Sequence, residues 1–398
     1  SLFPYQNAED VFNEHRETTR GRDLDITGLS YGMLDSQGPQ QWPLREGETA
    51  GKARLYEDGV FENEGGRAKF SNVKYIPVAE KTDAGYPLHF NTGRLRDQWH
   101  GMSRTGTVAQ LYNHAEEPAL SMNGSDMSRR QLNNGDLVKV SSRRGSLVVR
   151  VKQSDEMLPT QTFMPMHWGK RQMNSGGSNA LTIGTFDPVS KQPELKHAAI
   201  KVEKLNLPWS MVLMRRGVDM LSTLDSLQPL LGRFDYASSG LYGRDEGILI
   251  LRAASKEAAS PELIEEFDAL LGIDDDTPSM IYNDPKRGIS KRVVVEGGKV
   301  TGVKLVGETL AAEWLKEVMT QQDFPDAVRL WALAPVSAPP TGSQSRGRIV
   351  CNCLDVSEKE IAALVTEGAD LPELQAKLKC GTQCGSCVPE LKRFVSIG

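Results

Sequence analysis

All five cysteines of this 398-residue chain lie between positions 351 and 387, and the 350 residues before them contain none. Two form the pair Cys351-x-Cys353; Cys380, Cys384 and Cys387 share the stretch "CGTQCGSC". Free cysteines gathered in this way point to metal or redox chemistry in a reducing compartment, here expected to be the cytoplasm, rather than to disulfides. Thiolates are soft ligands for zinc or for iron–sulfur clusters. Cys-x-Cys, a spacer of thirty residues and Cys-x-x-Cys supply two close pairs. A [2Fe–2S] cluster, with two thiolates on each of two irons, matches two pairs. A structural zinc site is the alternative, although zinc motifs favour spacers of two to four residues. Gly381 and Gly385 would let the backbone approach inorganic sulfide closely. Lys377, Lys379, Lys392 and Arg393 would offset the negative charge. A segment of about fifty residues has a small core and gains stability from such a centre.

The rest of the chain is long enough for further domains. Its composition, 39% hydrophobic and 25% charged with a formal net charge of −5, is that of a globular protein and gives no pull toward nucleic acid. No apolar run approaches the ~20 residues of a membrane helix, so no membrane partner is expected. The opening "SLFPYQNAEDVFNEHRE" reads as the interior of a longer protein.

Local chemistry predicts the elements. Asn7 caps a helix over Ala8 to Arg16. Strands Leu137–Ser141 and Ser146–Lys152 flank the turn Arg143-Arg144-Gly145, and closely spaced strands over 86–204 predict a barrel or sandwich. Ser260 as cap, Pro261 at the first position and Gly272 past the end frame another helix. Gly297-Gly298 marks a hairpin, and "TLAAEWLKEVM" an amphipathic helix. The Pro/Ser/Gly-rich stretch around 336–346 reads as a linker. Helices are expected near 357–367, 371–378 and 385–396. The predicted organisation is multidomain α+β. Segment 1–85 leads in; 86–204 is β-barrel-like; 205–335 is a mixed α/β connector; 336–346 is a linker; 347–398 is a small helical domain.

One loop stands out in the cysteine-free body: "NTGRLRDQWHGMSRTG" at 91–106. Thr92 brings a hydroxyl, Gly93 permits close approach, and Arg94 offers a bidentate fork for phosphate. Trp99 and His100 could pack on a heterocycle. A polar loop leading into the barrel is the plainer reading. His15, His89, His114 and His197 carry no motif, and packing or surface roles are the default.

The tail "IVCNCLDVSEKEI…CGTQCGSCVPELK" resembles the [2Fe–2S] domain of bacterioferritin-associated ferredoxin, which recurs on nitrate and nitrite reductases. That resemblance implies Cys351, Cys353, Cys384 and Cys387 as ligands and leaves Cys380 spare. "YPLHFNTGRLRDQWHGMSRTG", "NNGDLVKVSSRRGSLVVRV", "MPMHWG", "SNALT" and "DPVSKQPELKHAAIKV" occur in this order. Together they resemble the C-terminal dinucleotide-binding domain of molybdopterin oxidoreductases of the dimethyl-sulfoxide-reductase superfamily, the assimilatory bacterial nitrate reductases in particular.

The resemblance implies a molybdenum-bis(molybdopterin guanine dinucleotide) cofactor. Its contacts would fall on Thr92, Gly93, Arg94, Trp99, His100 and Gly101, and on Asn179 and Lys196, all converging on one rim. Met166 and His167 would lie on the substrate side, although a packed, hydrogen-bonded histidine is the commoner state. It further implies nitrate as substrate and a donor that is an NADH-dependent flavoprotein, ferredoxin or flavodoxin. A [4Fe–4S] cluster would be held outside this chain, since no cysteine precedes Cys351. Alternatives are a formate-dehydrogenase-type enzyme and a non-catalytic electron-transfer module.

Overall fold

A computed structural model describes residues 2–273, 277–338 and 347–397; most of the predicted linker 336–346 lies outside the described residues. The chain divides into two compact units, 1–77 and 78–398.

In the first unit, α1 (Ala8–Glu17) starts at a reciprocal capping box. The Asn7 side chain accepts from the Asp10 N–H, and the Asp10 carboxylate accepts from the Asn7 N–H. A second helix, α2 (Tyr31–Gln37), is capped by Ser30. Ile26, Leu29 and Leu44 form its small buried core.

The second unit opens with a closed barrel of six strands: β1 (Leu88–Gly93), β2 (Ala119–Met122), β3 (Leu137–Ser141), β4 (Ser146–Gln153), β5 (Gln161–Pro165) and β6 (Ala198–Lys204). Their order around the barrel is β1-β5-β2-β4-β3-β6. β1 runs parallel to β5 and β2 parallel to β4; the remaining pairs are antiparallel. Alternation along β4 buries Leu147, Val149 and Val151 inside, as period two requires. Closure leaves no free sheet edge. The short helix α3 (Gly124–Arg129) sits between β2 and β3.

A six-stranded antiparallel sheet follows, in the order β10-β11-β12-β7-β9-β8. It comprises β7 (Trp209–Arg216), β8 (Tyr236–Tyr242), β9 (Ile248–Ser255), β10 (Ser279–Asp284), β11 (Ile289–Glu296) and β12 (Lys299–Val306). Helices α4 (Met220–Leu231) and α5 (Pro261–Leu271) pack on one face, and α6 (Ala312–Met319) with α7 (Asp326–Arg329) on the other. The middle of β7, Met211–Met214, is apolar on both faces. Met211 and Leu213 join the core shared with α4, α5 and the barrel, while Val212 and Met214 join the core under α6. A strand covered on both faces has no polar side to display. The barrel and the second sheet therefore share one continuous hydrophobic core.

The last piece holds β13 (Ile349–Cys351), β14 (Val356–Ser357), α8 (Glu358–Thr366), α9 (Leu371–Leu378) and α10 (Val388–Ile397). It has its own core of Val350, Val356, Ile361, Leu374 and Leu391. The α+β architecture with a barrel, mixed connector and small helical end agrees with the sequence expectation.

Candidate metal centre and dinucleotide site

Two loops bring the cysteines together. The first joins β13 to β14; the second joins α9 to α10. α9 ends on Lys379 in the left-handed region (φ 58°), and Gly381 (φ 80°) and Gly385 (φ 71°) continue the reversal. A Cβ at Gly381 would also meet Val388 Cγ2 at 2.9 Å. Backbone conformation and packing thus account for these glycines directly. The Cys353 thiol donates to the Cys384 sulfur at 3.2 Å, although 31 positions separate them. Cys351 and Cys387 are also close enough to perturb one another, and both are buried; Cys384 is exposed.

The thiols perturb one another. Burial and then the neighbouring Cys351 push Cys387 up to about 12. The hydrogen bond to Cys384 raises Cys353, whereas the Ser386 hydroxyl beside Cys384 lowers that thiol. Among the described residues no three His, Cys, Asp or Glu side chains close on one point as a single-ion site requires. The sulfurs instead meet in two pairs, the donor set that fits a two-iron cluster, whose positive charge would relieve the crowding of thiolates. Cys380 differs in its placement: it is fully buried and donates to the Leu374 carbonyl at 3.7 Å.

The loop after β1 is pinned by a histidine. His167 Nε2 accepts the Leu95 N–H at 2.8 Å, and its Nδ1 bonds the His100 carbonyl at 2.5 Å. Both ring nitrogens serve the backbone of this loop, so the ring is neutral with its proton on Nδ1. Burial pushes its pKa down. His167 is packed and hydrogen-bonded on both ring nitrogens. The loop is strained where His100 (φ 24°) and Met102 (φ 60°) enter positive φ. Trp99 meets His100 edge-on at 4.5 Å and carries the Arg104 guanidinium at 5.1 Å.

The structure groups the sequence-derived positions into two clefts. Gly101, Met166, His167 and Asn179 line one cavity of about 240 Å³, together with Lys170 and Arg171. Lys196 lines another, of about 270 Å³, with His89, Asn91 and His197. Thr92 links toward the second, its hydroxyl donating to the Leu195 carbonyl at 3.1 Å. Gly93 is required by β5, because a Cβ there would meet the Phe163 ring at 2.9 Å. Arg94 is exposed, as are Asn179 and Lys196. Arg94 lines neither cleft, whereas the exposed Asn179 amide and Lys196 ammonium, one in each cleft, fit an anionic dinucleotide in donor chemistry.

Sequence reasoning missed two arginines. Arg96, two residues past Arg94, donates to the Val350 carbonyl at 2.6 Å and to the Ser386 carbonyl at 3.4 Å. Arg244, between β8 and β9, donates to the carbonyls of Asn352 at 2.9 Å and Cys353 at 3.1 Å. The lysines expected to offset cluster charge lie on the exposed surface of the small domain.

Comparison with known proteins adds to this geometry. Residues 88–199 match the Molydopterin dinucleotide binding domain, and residues 349–396 the BFD-like [2Fe-2S] binding domain. A nitrate reductase of Klebsiella oxytoca is 30% identical over 424 aligned positions, covering 100% of this chain and 44% of the relative. The assimilatory nitrate reductase catalytic subunit of Bacillus subtilis is 33% identical, over 50% of this chain and 28% of the relative. The F420-dependent formate dehydrogenase subunit alpha of Methanocaldococcus jannaschii is 33% identical, over 51% and 28%. The chain thus spans less than half the length of these relatives. It carries both matched stretches in one polypeptide and, along its whole length, is similar to part of a nitrate reductase.

Proposed function

We propose that this chain is the C-terminal part of a cytoplasmic, assimilatory molybdenum nitrate reductase. Cys351, Cys353, Cys384 and Cys387 hold a [2Fe–2S] centre at which electrons enter from an NADH-dependent flavoprotein, ferredoxin or flavodoxin. Thr92–Gly101, Asn179 and Lys196 form one wall of a molybdopterin guanine dinucleotide site. Met166 and His167 lie on its substrate side, His167 by holding the loop in place. When bound, the molybdenum–pterin group supplies the oxygen-atom transfer that turns nitrate into nitrite. The [4Fe–4S] ligands belong to sequence outside this chain. Segments 1–85, 86–204, 205–335 and 347–398 serve as lead-in, dinucleotide domain, connector and cluster domain, with 336–346 as linker.

What supports this reading most is that the cysteine loops lie against the candidate dinucleotide loop, joined through Arg96. An electron centre and an acceptor site are useful only when close. Anaerobic reconstitution should load about two irons per chain with the visible absorbance of a [2Fe–2S] centre. Stoichiometric zinc without iron contradicts it. This chain alone should form no nitrite with dithionite-reduced dye, because one wall leaves the cofactor open to water. The longer enzyme should form it. The formate dehydrogenase relative favours a second reading, tested by formate oxidation in the same longer enzyme.

A further inference from the structure

We propose that Arg96 and Arg244 are positioning residues that clamp both cysteine loops from outside the small domain and raise the reduction potential of the centre those loops hold. The proposal rests on the reading of Cys351, Cys353, Cys384 and Cys387 as ligands of a [2Fe–2S] cluster.

Four carbonyls receive the two guanidiniums: Val350, Asn352, Cys353 and Ser386. Each belongs to one of the four cysteines or to a residue adjoining one. Arg96 comes from the loop after β1 and Arg244 from the β8–β9 turn, so the clamp closes from two different sheets. A guanidinium keeps its charge at every relevant pH, and its planar fork serves two acceptors at once. The Arg96 side chain is 25% exposed and that of Arg244 30%, so water screens them only in part.

Charge decides the direction. Reduction adds one negative charge to a centre already bearing four thiolates. A fixed cation beside it stabilises the reduced state more than the oxidised one. Carboxylates oppose this. Glu390 accepts from Arg96 at 3.1 Å and also pairs with Arg348, and Asp355 lies 3.7 Å from Arg244. Asp97 lies 3.8 Å from Arg96 as well, so the potential is set by Arg96 and Arg244, with Arg348 beside Glu390, working against these acids.

The test is a redox titration of the reconstituted full chain, followed by visible absorbance and electron paramagnetic resonance. Arg96→Gln and Arg244→Gln should each weaken reduction about threefold to tenfold, tenfold being ~59 mV for one electron. Glu390→Gln, which removes an opposing charge, should shift the potential upward. Unchanged potentials in both Arg→Gln variants with intact cluster spectra overturn the proposal. Should either arginine variant lose its cluster, Glu390→Gln decides: an upward shift supports the charge balance, and no shift refutes it. A wild-type chain that binds no iron refutes the ligand reading itself, and that result is read before any potential.

Discussion

His167 accepts the Leu95 backbone N–H on Nε2 at 2.8 Å, across 72 positions of sequence, while its other nitrogen bonds His100. One neutral imidazole therefore holds both ends of the candidate dinucleotide loop. Protonation at Nε2 would remove the acceptor and break the first bond.

A pH dependence follows. Burial lowers the pKa of His167 in the folded chain, and burial and then His197 lower that of His89. The unfolded chain then binds more protons just below the ordinary value of ~6.5, so stability falls as pH drops through that region. His167→Gln, whose amide preserves one donor and one acceptor, should flatten part of this slope between about pH 6.5 and 5 in thermal unfolding. An identical slope in the variant would exclude His167 from it.

Cys384→Ser should abolish the iron-dependent absorbance, and Cys380→Ser should keep it. The Cys380 thiol is turned to the Leu374 carbonyl inside the small core, a bond that a serine hydroxyl can inherit. Iron analysis of both variants gives the answer. Loss of iron in Cys380→Ser would show that the spare cysteine has been misidentified.

Glu80 is bound by Arg144 through two oxygens, by Arg143 and by the Ala199 N–H. Arg144 first, with the other donors, holds its pKa down to about 2. Its contribution is present above the unfolded value of ~4.5 and fades as pH falls toward about 2. Glu80→Gln should cost roughly 1–2 kcal/mol at pH 7 and much less near pH 3, measured by urea unfolding. A penalty that is the same at both pH values would argue against the ionic account.

Glu116 joins the barrel to the second sheet. It receives Arg252 of β9 at 2.7 Å and Lys316 of α6 at 2.7 Å, both cations being buried. Removing the acid while leaving two buried cations costs more than the pair itself contributes. Glu116→Ala should destabilise by about 3 kcal/mol, the exposed Glu313 carboxylate compensating in part. Equilibrium denaturation with an unchanged slope would register it; a loss under 1 kcal/mol would count against this role.

Much of the local structure was legible in the residues. Asn7, Ser260 and Pro261 announce helix starts, Gly272 a helix end and Gly297-Gly298 a hairpin, because caps and turns depend on neighbours a few positions away. The cysteine pairs were legible because soft thiolates at short spacing have few other uses. Arg96 and Arg244 were not, since their partners are backbone carbonyls more than 100 positions distant, and a carbonyl carries no sequence signature. For the same reason sequence could not separate the cleft of Asn179 from that of Lys196. Composition and spacing determined which chemistry this chain carries. Barrel closure and long-range hydrogen bonding alone decided which side chains stand beside it, because only the folded backbone brings those distant groups within bonding distance.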